Sequence, residues 1–132
     1  DFDTMLAKEN SKNNPYFYTM YAYVRCCSIL EKKKPNLDNN SDKNELVKNY
    51  DLISKIINFP IYLEKFSSER SPHSLVHFTK ELAANYHSFY EQNSVITDNQ
   101  EESNARLLIT KATSIVLKNS FKIIGVTPLE KM

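Results

Sequence analysis

Four tyrosines, Tyr16, Tyr18, Tyr21 and Tyr23, stand within eight positions, and Arg25 follows the last of them. A tyrosine ring is a large apolar body with one polar tip, costly to bury unless its hydroxyl finds a partner. Helical steps of 100° put Tyr18, Tyr21, Ala22, Arg25 and Ile29 on one face. Two rings beside a guanidinium can stack unpaired nucleobases and hold a phosphate. The same pattern also fits a core-packed helix with its hydroxyls turned to water, and periodicity alone leaves both readings open.

The other reactive side chains offer less. His73 and His77 have the i, i+4 spacing of a zinc pair, but no Glu completes an HExxH arrangement and no third ligand is evident. With His87 they read as partly exposed polar helix residues. Cys26 and Cys27 are adjacent, point about 100° apart on a helix and cannot readily bridge each other. Without a fixed base beside them they read as small packing groups. Acidic residues alternate with lysines as on solvated helix faces and form no general acid–base pair. The residues therefore yield no catalytic constellation and no metal site.

The elements that must position these groups are helices. The chain has 132 residues, the size of one domain, and its only glycine is Gly125. An all-β domain would need many tight turns, which glycine mostly supplies, and glycine-rich phosphate loops are excluded with it. Net charge is +1, so any RNA binding must come from a local surface. No apolar run reaches the ~20 residues of a membrane span. The adjacent cysteines fit a reducing, cytoplasmic setting.

Residues 1–12 read as a polar lead-in with a short helical turn at Phe2, Met5 and Leu6. Asn13 or Asn14 can cap a first helix that Pro15 opens, Lys32–Lys34 close and Pro35 stops. A second helix is expected from Asp42 to about Phe59, with Leu46, Tyr50, Ile53 and Ile57 on one stripe. Pro60 opens a shorter one holding Ile61, Leu63 and Phe66. Ser71 caps a fourth, about Pro72 to Val95, with Leu75, Phe78, Leu82, Phe89 and Ile96 in line. A fifth runs from about Glu101 to Ile124 with Leu108, Ala112, Ile115 and Val116 inward, and Gly125 ends it. The expectation is an all-α fold, a bundle of about five helices.

The opening DFDTMLAKENSKNNPYFYTMYAYVRCCSIL resembles the start of the C-terminal DALR anticodon-binding domain of arginyl-tRNA synthetases. That family shows a Phe-Asp…Leu-Ala lead-in, an Asn-Pro, and a Tyr-x-x-Tyr-Ala-x-x-Arg helix running into Ser-Ile. Here these are Phe2, Asp3, Leu6, Ala7, Asn14, Pro15, Tyr18, Tyr21, Ala22, Arg25, Ser28 and Ile29. LAANYHSFY (Leu82–Tyr90) is similar to the family's helix ending in a His/Asn-x-Phe-Tyr run. Ala105-Arg106-Leu107 and the tail ending in Met132 are similar to its last helix and terminus. Two departures stand out: Tyr23 occupies a position where the family often has His, and Asn104 one where many members carry an acidic residue.

The resemblance implies the helical anticodon-binding domain of a class I aminoacyl-tRNA synthetase. Residues 1–12 would be a lead-in from an upstream catalytic domain and 13–132 the DALR domain. Arginine tRNA, through its anticodon stem-loop, and the catalytic domain of the same chain are the implied partners, with no membrane and a monomeric state. The parent enzyme would esterify arginine to tRNA using ATP in that upstream domain. This stretch would hold no cofactor and no active site. Asn14, Tyr18, Tyr21, Arg25, Tyr90 and Met132 are the implied tRNA-binding residues, Glu9–Asn14 a loop that rearranges with tRNA, and Ser28, Ile29, Phe89 and Leu107 core. Two alternatives remain open at the level of sequence. One is a DALR domain of the glycyl β subunit or the cysteinyl enzyme; the other is a helical module that binds an amphipathic partner helix without RNA.

Overall fold

The structure is a computed structural model that describes residues 15–38, 40–69 and 72–132, and its regular structure there is helical throughout. The lead-in turn, the Asn13/Asn14 and Ser71 caps and the Glu9–Asn14 loop lie outside the described residues. The helices are α1 (Pro15–Lys32), α2 (Lys43–Lys48), α3 (Tyr50–Ile57), α4 (Phe59–Glu69), α5 (Pro72–Gln92) and α6 (Gln100–Ile124). The three long helices α1, α5 and α6 each pack against the other two. The short ones close the outside, α2 on α6, α4 on α5, and α3 on both.

Local chemistry sets the helix ends. Asp42 caps α2 by accepting from the Asn44 N–H, and Asn99 caps α6 by accepting from the Glu102 N–H at 3.1 Å. Gly125 ends α6 at φ 94°, a left-handed conformation that costs glycine nothing. The Val126 N–H then donates to the Phe121 carbonyl at 2.8 Å. The outgoing tail is tied back to α1 by the Leu129 N–H against Met20 Sδ.

The core lies where α1, α5 and α6 meet. Ala22, Tyr23, Cys26 and Ile29 enter it from α1, Leu75, Phe78, Leu82, Tyr86 and Phe89 from α5, and Leu107, Val116, Leu117 and Phe121 from α6. Each fully buried leucine stabilises the fold by about 1.5–3 kcal/mol relative to exposure. The Tyr86 hydroxyl lies 3.0 Å from Thr110 Oγ1. Thr110 spends its own proton on the Arg106 carbonyl, so Tyr86 is the donor. Cys26 is fully buried and Cys27 half-buried, as packing groups should be.

Several details of the sequence reading are corrected. The expected second helix divides at Asn49, giving six helices among the described residues rather than five. Along it Glu45, Leu52 and Phe59 are buried and Ile53 is partly so, whereas Tyr50 and Ile57 face water and Leu46 is on the exposed side. α5 stops at Gln92, so Ile96 lies beyond it and is exposed. Ile61 is exposed as well, with Leu63 and Phe66 partly buried. On α6, Ile115 is exposed, and Leu108 and Ala112 are only partly buried. Thr110, Thr113 and Ser120 line the interior instead, each hydroxyl donating to the carbonyl one turn back. Ser28 is exposed, while Ile29, Phe89 and Leu107 are core.

Candidate nucleic-acid interface

The tyrosine-rich start of α1 splits between interior and surface. Tyr23 packs into the core, edge-on to Phe121 with ring centroids 6.3 Å apart. Ala22 and Ile29 follow it inward. Tyr18 and Tyr21 stay open, each 38% exposed, and Tyr90 of α5 matches them at 38%. The helical face expected from sequence is therefore the boundary of the core: its small and branched residues seal the helix down, and its rings lie along the rim.

Arg25 organises that rim. Its guanidinium carbon sits 4.0 Å from the Tyr90 ring centroid and 4.7 Å from that of Tyr21, a cation bracketed by π-faces from two helices. Such contacts contribute about 0.5–2 kcal/mol, more as water is excluded. Arg25 Nη1 also lies 2.9 Å from His87 Nδ1. A guanidinium can only donate, so Nδ1 carries no proton. The ring proton is on Nε2, which donates to the Tyr18 carbonyl at 2.9 Å. His87 is thus fixed as one neutral tautomer.

Burial pushes the His87 pKa below the usual histidine value, and the Arg25 charge adds to this. The Tyr18 carbonyl and Glu91 pull the other way. The imidazole also lies against Tyr18, centroids 4.2 Å apart, and near-parallel to Tyr21 at 5.8 Å. Phe17 stacks beside Tyr21 at 6.2 Å. Phe17, Tyr18, Tyr21, Arg25, His87 and Glu91 line an open pocket of about 490 Å³. Its lining combines aromatic rings, a cation and a carboxylate. This arrangement can receive planar, electron-poor rings and an anionic group.

Of the residues singled out from sequence, Tyr18, Tyr21, Arg25 and Tyr90 come together here. Met132 ends the exposed tail and is not among the lining residues. Asn14 lies outside the described residues. Sequence reasoning missed His87, which is 3% exposed rather than a partly exposed surface histidine. The signal was present: His87 is three positions before Tyr90 and so shares its helix face. His73 and His77 are exposed, and His77 pairs with Glu81. No group of three or more His, Cys, Asp or Glu among the described residues could hold a metal. No helix among the described residues is long and apolar enough to cross a membrane.

Comparison with known proteins places this chain in a family. The DALR anticodon binding domain matches residues 19–132. The chain belongs to the DALR anticodon-binding domain family. Over its full length this DALR domain is 39% identical to the arginine–tRNA ligase 1 of Halalkalibacterium halodurans and 39% identical to the arginine–tRNA ligase of Bacillus subtilis. In each case it spans 25% of the relative, about a quarter of the length of the curated proteins it matches. The arginyl-tRNA synthetase of Thermus thermophilus shares the fold, with a TM-score of 0.73 at 22% identity, over 96% of this chain and 22% of that one.

Proposed function

We propose that this chain is the tRNA-reading domain of an arginine–tRNA ligase, holding the anticodon stem-loop of arginine tRNA while an upstream catalytic domain joins arginine to the tRNA with ATP. The observation that carries the reading is the Tyr21–Arg25–Tyr90 sandwich with Tyr18 beside it, open to solvent on a domain of this family. Anticodon loops present unstacked bases, and each base stacked on an aromatic ring is worth about 1–3 kcal/mol. The guanidinium supplies a phosphate or base-edge contact, and the rings supply sequence-tolerant grip. Asn14 and Met132 are proposed as further contacts on the strength of the motif alone. The chemistry of ligation, and ATP, belong in this reading to the upstream domain.

The test is binding of the arginine-tRNA anticodon stem-loop against the same hairpin with a substituted anticodon, at two salt concentrations. The reading predicts that base substitution weakens binding at both salts, since base-edge contacts discriminate between bases and survive screening better than phosphate contacts. Equal binding of the two hairpins, differing only with salt, would overturn it.

A further inference from the structure

The proposed RNA site contains one buried side chain that no RNA contact requires. His87 is 3% exposed, yet both of its nitrogens are engaged, one by Arg25 from α1 and one by the Tyr18 carbonyl, 69 residues away in sequence. Among the described residues, the charged groups acting on the ring are Arg25 of α1 and Glu91 of its own helix, and none from α3, α4 or α6. Tyr18 and Tyr21 cover its faces.

The bond to Arg25 exists in only one protonation state. With Nδ1 unprotonated, the guanidinium has an acceptor that fixes its plane between Tyr21 and Tyr90. A protonated ring would present an N–H and a positive charge to a group that can only donate and is itself positive. The two cations would separate, and Arg25, the less buried of them, is the one with room to move.

We infer that His87 is a positioning residue for RNA capture, a proton-gated latch whose neutral Nε2–H form holds Arg25 in its aromatic bracket. The inference rests on the proposed RNA-reading role and assigns that site a regulator, the protonation state of one imidazole. Glu91 lines the same pocket and is exposed, and among the described residues no ion pair joins it to Arg25.

Three variants of the chain test this: wild type, His87→Asn and His87→Phe. Asn keeps an acceptor near the Nδ1 position but cannot titrate; Phe keeps the ring and removes both bonds. Binding of the arginine anticodon stem-loop is measured from about pH 8 downward until the His87 ring resonances have titrated, with far-UV circular dichroism at each pH to confirm folding. Wild type should lose about tenfold in affinity on the acid side of the range, the scale of one stacked or charge-assisted contact. H87F should be weakened by a similar factor at all pH values. H87N should be weakened less than H87F and show no acid step. Long-range 1H–15N spectra of the wild-type chain at neutral pH should show a single Nε2–H tautomer for His87.

An acid step of equal size in wild type and H87N overturns the latch, as does an Nδ1–H tautomer or an H87F variant that binds like wild type. If wild type binds RNA with anticodon selectivity but no acid step, the latch alone falls. If wild type binds neither hairpin selectively, the RNA-reading role falls and the latch with it.

Discussion

Glu45 grips Arg106 with both carboxylate oxygens, accepting from Nε at 3.0 Å and from Nη2 at 3.1 Å, across 61 residues of sequence. The side chains are 7% and 9% exposed. Arg106 donates its remaining nitrogen to the Ser94 carbonyl at 2.7 Å and pairs with Glu102. The fork pins the six-residue α2 to α6, and a helix that short has little stability of its own. Removing Arg106 leaves the buried Glu45 carboxylate with only the solvent-exposed Lys48, 3.6 Å away, so Arg106→Met should destabilise the chain by about 3 kcal/mol. The double variant Glu45→Leu/Arg106→Met should recover a substantial part of that loss. Urea denaturation of the singles and the double decides it; an additive double variant would mean the pair is not coupled.

The acid limb of the stability curve should have two steps. Burial lowers the pKa of His87, so the folded state binds its proton less readily than the unfolded chain does. Stability is therefore full above the usual histidine value of 6.5 and declines as pH falls from there toward the lower folded pKa. The Arg106 hydrogen bonds lower the pKa of Glu45 below its usual 4.5, so its contribution is lost only at more acid pH, as the carboxylate protonates. Glu81, lowered by Lys55, acts in the same direction but is largely solvated and adds little. Calorimetric melting temperature against pH should show both steps in wild type and only the lower one in H87N.

Charge alone should not replace Arg25. A lysine keeps the cation but lacks the planar fork that fits between two rings while donating sideways to an imidazole. Arg25→Lys should weaken stem-loop binding about tenfold while leaving the salt slope nearly unchanged. Tyr90→Phe should cost little, because the π-face remains, and Tyr90→Leu should cost about as much as Arg25→Lys. Filter binding at several salt concentrations separates these outcomes.

Asn104 is a structural clamp. It accepts from the Asn36 N–H at 2.7 Å and donates to the Asn36 carbonyl at 2.9 Å and to Ser41 Oγ at 3.0 Å. The turn between α1 and α2 thus hangs on one buried amide of α6. Asn104→Ala removes these part-buried hydrogen bonds and should cost about 1 kcal/mol or somewhat more. Amide hydrogen exchange should rise most strongly around Asn36–Ser41.

The long helices were readable because their signals are local. Pro15 starts α1, Gly125 ends α6, and the α5 stripe from Leu75 to Phe89 recurs at helical spacing. The stretch from α2 to α4 was misread for the opposite reason. Glu45 is buried because its partner Arg106 arrives from another helix, and no local period announces that. Asn49, an ordinary surface residue in the pattern, interrupts the helix. On α6 the apolar stripe misled because hydroxyls satisfied by their own backbone occupy the core face and displace Ile115 outward. Half of the aromatic site was legible from α1 alone. His87 was not, since its role depends on Tyr18 and Arg25, which the fold brings to it.

The guanidinium bracket is built from two helices, one ring on α1 and one on α5. A strand bound in the adjoining pocket, which both helices line, must therefore also fasten the seam between them. Occupancy becomes legible at a distance, as slowed opening of the core beneath rather than as any change of shape. In a larger chain, that stiffening is a signal a neighbouring domain could sense without touching the bound strand.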